Sequence, residues 1–77
     1  MSRTFVDEEL LVWEVYPSGS RRGFSEKPAV IFLCRSDRSA RARFIEMAGD
    51  VADAERTVTT LPDAELRELL RTAQRLP

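Results

Sequence analysis

Leu11, Trp13 and Val15 alternate with Val12, Glu14 and Tyr16, the period-two pattern of a half-buried strand. With residues 4–6 on the other side of Asp7-Glu8-Glu9, this predicts a first hairpin of strands at 4–6 and 10–16. Pro17-Ser18-Gly19-Ser20 is expected to end the second strand, and the polar stretch to Pro28 reads as a loop of about a dozen residues, long for a small domain. Val30-Ile31-Phe32-Leu33, within the apolar run from Ala29 to Cys34, is rich in β-branched and aromatic residues. Ser36-Asp37-Arg38-Ser39 then supplies turn chemistry before residues 40–45 alternate again, which predicts a second hairpin.

The register of that hairpin has two solutions. A four-residue loop pairs Arg35 with Ala40 and Ile31 with Phe44, whereas a three-residue loop pairs Phe32 with Phe44 and Cys34 with Ala42. In both, alternation puts Ala42 and Phe44 on one face and Arg41 and Arg43 together on the other. Residues 47–59 give competing signals: Val51, Ala54 and Val58 have helical spacing, while Thr57-Val58-Thr59 favours an extended chain. Thr60-Leu61-Pro62-Asp63 has a Thr-x-x-Asp capping pattern, with acids early and Arg71 and Arg75 late, predicting a helix over 61–75. Its Leu66, Leu69, Leu70 and Ala73 form a narrow apolar stripe.

The expected fold is a single α+β domain over residues 1–77: a small antiparallel sheet of about four strands in two hairpins, with a C-terminal helix packed on one face. Trp13, Val15, Ile31 or Phe32, Phe44, Leu66, Leu69 and Leu70 are the expected core. The opposite face, with Val12 and Tyr16, is expected to stay partly apolar.

Arg3-Thr4-Phe5-x-Asp7, Trp13-x-Val15, Phe44-x-Glu46 and Leu61-x-Asp63-Ala64-Glu65-Leu66 together resemble a group of small bacterial proteins built from strands and one C-terminal helix. The resemblance implies that fold outline and carries no activity. The chain departs from the group's pattern where Glu8-Glu9-Leu10 replaces a glycine in the first turn and Pro62 replaces a Ser or Thr.

Composition removes several chemistries. The 77 residues contain no histidine and one cysteine, Cys34, so His-dependent nucleophilic sites, His-containing zinc sites, CxxC motifs and intramolecular disulfides are all excluded. Cys34 ends an apolar strand and reads as a small hydrophobe. No cofactor loop is present: Gly19-Ser20-Arg21-Arg22-Gly23 has neither P-loop nor dinucleotide-binding spacing. Asp50, Asp53 and Glu55 lack the ligand spacing of a calcium loop. Glu14 and Glu46 are read as solvated rather than as a glycosidase pair. The expectation is therefore a non-enzymatic protein without cofactor or metal. The longest apolar run has six residues, too short for a membrane span, and no targeting segment follows Met1, so a cytoplasmic location is expected.

Charge is unevenly distributed although the total is only −1. Residues 21–43 hold seven basic and two acidic side chains, and both flanks are net acidic. Arg21, Arg22, Arg35, Arg38, Arg41 and Arg43 are accordingly the candidate anion- or partner-binding residues. The leading expectation is a non-catalytic protein-interaction module, binding a protein partner or a second copy through the uncovered sheet face or an edge strand. The alternative is a nucleic-acid or anion-binding domain that uses those arginines.

Overall fold

The computed structural model describes residues 2–19 and 27–76. Five strands, β1 (Arg3–Val6), β2 (Val12–Ser18), β3 (Ala29–Cys34), β4 (Arg43–Glu46) and β5 (Gln74–Arg75), form one antiparallel sheet in the order β1-β2-β3-β4-β5. Two helices, α1 (Val51–Thr60) and α2 (Asp63–Thr72), lie between β4 and β5 in the chain. The α+β class and the antiparallel sheet packed by helix are as expected; the second helix and the fifth strand are additions.

Local chemistry sets the element ends. The first turn starts where Asp7 N–H donates to Leu11 O at 2.9 Å, and the Asp7 side chain accepts from the N–H groups of Glu9 and Leu11 at 2.8 and 2.9 Å. Leu10 there has φ 67, so β2 begins at Val12 rather than at residue 10. At its far end β2 runs through Pro17 to Ser18 instead of stopping at Tyr16. Val12 O accepts from Arg35 N–H at 2.8 Å, so alternation makes the even residues of β2 the ones that bond β3. Pro17 is an odd one, and its missing N–H leaves the β2–β3 ladder intact.

The second hairpin takes the register of the four-residue loop, with Ile31 opposite Phe44 and Phe32 opposite Arg43. Pairing stops at Phe32–Arg43, so Arg35 and Ala40 are not paired and the connection is longer than expected. Residues 51–60 are helical because Asp50 caps them: its carboxylate accepts from Asp53 N–H at 3.2 Å, and the Asp53 carboxylate accepts from Asp50 N–H at 3.0 Å. The expected Thr-x-x-Asp cap of α2 does not form. Pro62 is the N-cap without a side-chain bond, Thr60 Oγ1 donates to Arg56 O at 2.6 Å, and Asp63 is bound by Arg3. α2 ends at Thr72, Ala73 is extended, and Gln74 and Arg75 join β4 instead of continuing the helix to residue 75.

Both helices cover one sheet face. Phe5, Trp13, Val15, Val30, Phe32 and Cys34 pack there with Ala54, Val58, Leu66 and Leu70, and the rings of Phe5 and Phe32 meet edge-on at 6.1 Å. Burying each large side chain in this set contributes about 1.5–3 kcal/mol. Leu69 is only partly buried. Ile31 and Phe32 are both core residues, on opposite faces: Ile31 and Phe44 form a second buried cluster with Ala29, against which Tyr16 and Leu76 pack.

Candidate functional site

β4 and β5 put two arginines directly opposite each other. Arg43 and Arg75 are register partners, and alternation aims both to the helix-covered side. Like charges in that relation destabilise a sheet unless something compensates. Part of the compensation for Arg43 is internal. Its Nη1 donates to Leu70 O in the last turn of α2 at 3.2 Å, and its guanidinium carbon lies 5.8 Å from the centre of the Trp13 ring. Arg75 is exposed and, among the described residues, no carboxylate pairs with it.

Arg41 joins them. Its Nη1 reaches Leu76 O at 3.4 Å, and Leu76 N–H donates to Ala42 O at 2.9 Å, so the end of the sheet is stitched to residues 41–42 from both sides. Arg41, Arg43 and Arg75, with Trp13, Ser39 and Ala40, line an open cavity of about 280 Å³, and among the described residues no acid lines it. Ser39 in that lining belongs to the turn at Asp37, whose carboxylate accepts from the Ser39 N–H and hydroxyl at 2.9 and 2.7 Å. The Ser39 hydroxyl, then its N–H, hold the Asp37 carboxyl below its usual value.

A second cavity of about 270 Å³ shares Trp13, Ala40 and Arg43 with the first and continues toward the first turn. It differs in charge: Asp7, Glu8 and Glu9 face Arg67 and Arg71 across Leu11 and Leu70. Arg71 pairs with Glu8 and, at 3.1 Å, with Glu68; Arg67 Nε donates to Val6 O at 2.6 Å, occupying a carbonyl on β1 at the sheet margin. Burial pushes the Asp7 carboxyl up. The Trp13 indole, the Leu11 and Glu9 N–H groups and the field of Arg43 outweigh that effect, and its pKa lies below the ordinary value.

The six arginines singled out by the sequence thus separate. Arg41 and Arg43 share a cavity. Arg35 sits 3.7 Å from Glu14, a residue that alternation places on the face opposite Trp13, and Arg38 is exposed in the Asp37 turn. Arg21 and Arg22 lie outside the described residues. Sequence reasoning missed Arg75, which continued a helical pattern and carried no strand signal.

Among the described residues no group of His, Cys, Asp or Glu has metal-site geometry, and no helix is long and apolar enough to cross a membrane. Asp50 and Asp53 cap α1, and Cys34 is buried with Sγ 3.9 Å from Ser36 Oγ. No protein-family model, curated protein or solved structure matches the chain.

Proposed function

We propose that this chain is a non-catalytic binding module that holds an anionic group, carboxylate or phosphate, between Arg41 and Arg75 on the floor made by Arg43 and Trp13. The observation that carries this reading is the cavity lined by three arginines and, among the described residues, no acid, with its cross-strand Arg43–Arg75 pair. Repulsion between facing guanidinium groups is relieved when an anion enters, and the planar donor forks of arginine suit a carboxylate or phosphate. Among the described residues nothing nucleophilic or basic lines the cavity beside the arginines except the Ser39 hydroxyl, which donates to Asp37. Binding without turnover is therefore the chemistry that this lining supports.

The test is a titration of ¹⁵N-labelled protein with sodium sulfate, followed by amide shifts at constant ionic strength. Saturable shifts confined to residues 39–43 and 74–76 are expected. Arg41→Glu/Arg75→Glu should abolish them, and Arg75→Glu alone, which removes no side-chain hydrogen bond or ion pair among the described residues, should weaken them while keeping the wild-type thermal melt. Equal shifts in the double variant, or shifts that never saturate, would remove the reading.

A further inference from the structure

We infer that the anion held between Arg41 and Arg75 is a phosphate monoester, a dianion with three free oxygens, rather than a carboxylate or the diester of a nucleic-acid backbone; the inference rests on the anion-binding reading above. Charge favours the dianion. Arg41, Arg43 and Arg75 put three positive charges on one cavity that, among the described residues, no acid lines. The adjoining cavity shares Arg43 and adds Arg67 and Arg71 against Asp7, Glu8 and Glu9. Over both cavities five arginines thus face three carboxylates, and the joined lining keeps a charge of +2 among the described residues. A carboxylate or a backbone diester brings one negative charge to it, whereas a phosphate monoester brings about −1.5 to −2 near neutral pH.

Donor supply favours it as well. A planar carboxylate is satisfied by a single guanidinium fork, whereas the three oxygens of a tetrahedral phosphate take donors from several directions. Arg41 and Arg43 stand two residues apart on one face, and Arg75 comes from the neighbouring strand directly across from Arg43. Among the described residues Arg41 spends one hydrogen bond within the fold, on Leu76 O, Arg43 spends one, on Leu70 O, and Arg75 spends none. With five N–H groups on each guanidinium, all three arginines keep donors for a ligand. A nucleobase finds no comparable welcome: Trp13, the aromatic residue in this lining, is buried beneath the Arg43 guanidinium and offers no free ring face for stacking.

The experiment titrates the ¹⁵N-labelled full chain with methyl phosphate, dimethyl phosphate and acetate at constant ionic strength and about pH 7.5, where the monoester is a dianion. Methyl phosphate should shift the amides of residues 39–43 and 74–76 with a Kd about tenfold or more below those of the diester and of acetate. Arg75→Gln should weaken methyl phosphate and narrow its lead over dimethyl phosphate, with the thermal melt unchanged, because that side chain holds no hydrogen bond or ion pair among the described residues. N-acetylphosphoserine amide and AMP carry the same group from a protein side chain and from a nucleotide; both should compete with methyl phosphate, and the tighter of the two names the source. A lead of less than about tenfold over the diester or acetate, or failure of both monoesters to compete, would overturn the inference. A saturable sulfate response that persists in either case leaves the anion site standing without this selectivity.

Discussion

The indole N–H of Trp13 donates to Asp7 Oδ2 at 2.8 Å, and through that bond the first turn fixes the floor of both cavities. Asp7 spends its other oxygen on the Glu9 and Leu11 N–H groups, so one carboxylate shapes the turn and orients the ring. Trp13 is buried and its ring lies beneath the Arg43 guanidinium. Turn, ring and arginine thus form one chain of contacts leading to the arginine-lined cavity.

Removing the carboxylate should be costly. Asp7→Ala leaves three N–H donors without their acceptor and is expected to lose about 1–3 kcal/mol of stability, measured by urea unfolding with Trp13 fluorescence as the signal. Because Trp13 is the chain's one tryptophan, the folded-state emission should also shift. Unchanged stability and emission would show that the turn holds the ring without Asp7.

The same carboxylate makes stability acid-sensitive. Its folded pKa is depressed below 3.8, so its contribution is fully present above the unfolded value and is lost as pH falls through the folded one. Asp37 and Asp53 shift in the same direction, by the Ser39 hydroxyl and by the Asp50 N–H respectively. Thermal melts should be flat near neutrality and decline below about pH 4, with a shallower decline in Asp7→Asn. A wild-type profile that does not bend in acid would contradict all three assignments.

Arg3 ties the first strand to the junction of the helices. Its Nη1 donates to Val58 O at 3.1 Å and to Leu61 O, and its Nη2 bonds Asp63 at 2.6 Å. Arg3→Ala should cost about 1–3 kcal/mol in chemical denaturation and speed amide exchange near residues 61–66. Arg3→Lys should recover only part of this, because an ammonium lacks the fork that reaches carbonyl and carboxylate together.

Gly49 has φ +100, and a β-carbon there would overlap Asp53 Oδ2, the atom that caps Asp50 N–H. Gly49→Ala is expected to cost about 1–2 kcal/mol and to fray α1. Circular dichroism and exchange at residues 51–54 check this; an unaltered first turn would mean that the cap adapts.

The parts of the fold readable in the sequence are those where side-chain alternation and burial coincide. β3 with its neighbours, the Arg41–Arg43 pair and the Leu66/Leu70 stripe follow from period alone. The hairpin register needed tertiary information: Ile31 and Phe32 are both apolar and both buried, so neither face advertised itself as the inner one. α1 was ambiguous because its Thr and Val residues disfavour helix, while the cap that decides it is a reciprocal pair of aspartates rather than a Ser or Thr motif. β5 left no trace, since Gln74 and Arg75 are polar and exposed and pair only because the chain returns beside β4. Leu10's positive φ is visible only in the structure, although the absence of glycine from that turn marked the place.

β5 is two residues long, and besides its ladder it is held by the bonds at Leu76 and by that side chain's packing on Ile31 and Phe44. Its opening should be among the least costly local fluctuations of the domain. Arg75 travels with it, so the arginine triad is whole only in the docked fraction of molecules, and the apparent affinity for the proposed anion would be its intrinsic affinity scaled by that fraction. A ligand that bridges Arg41 and Arg75 would act as a clasp on the last strand, slowing its release and linking occupancy of the arginine-lined cavity to the integrity of the second apolar cluster on the far side of the sheet.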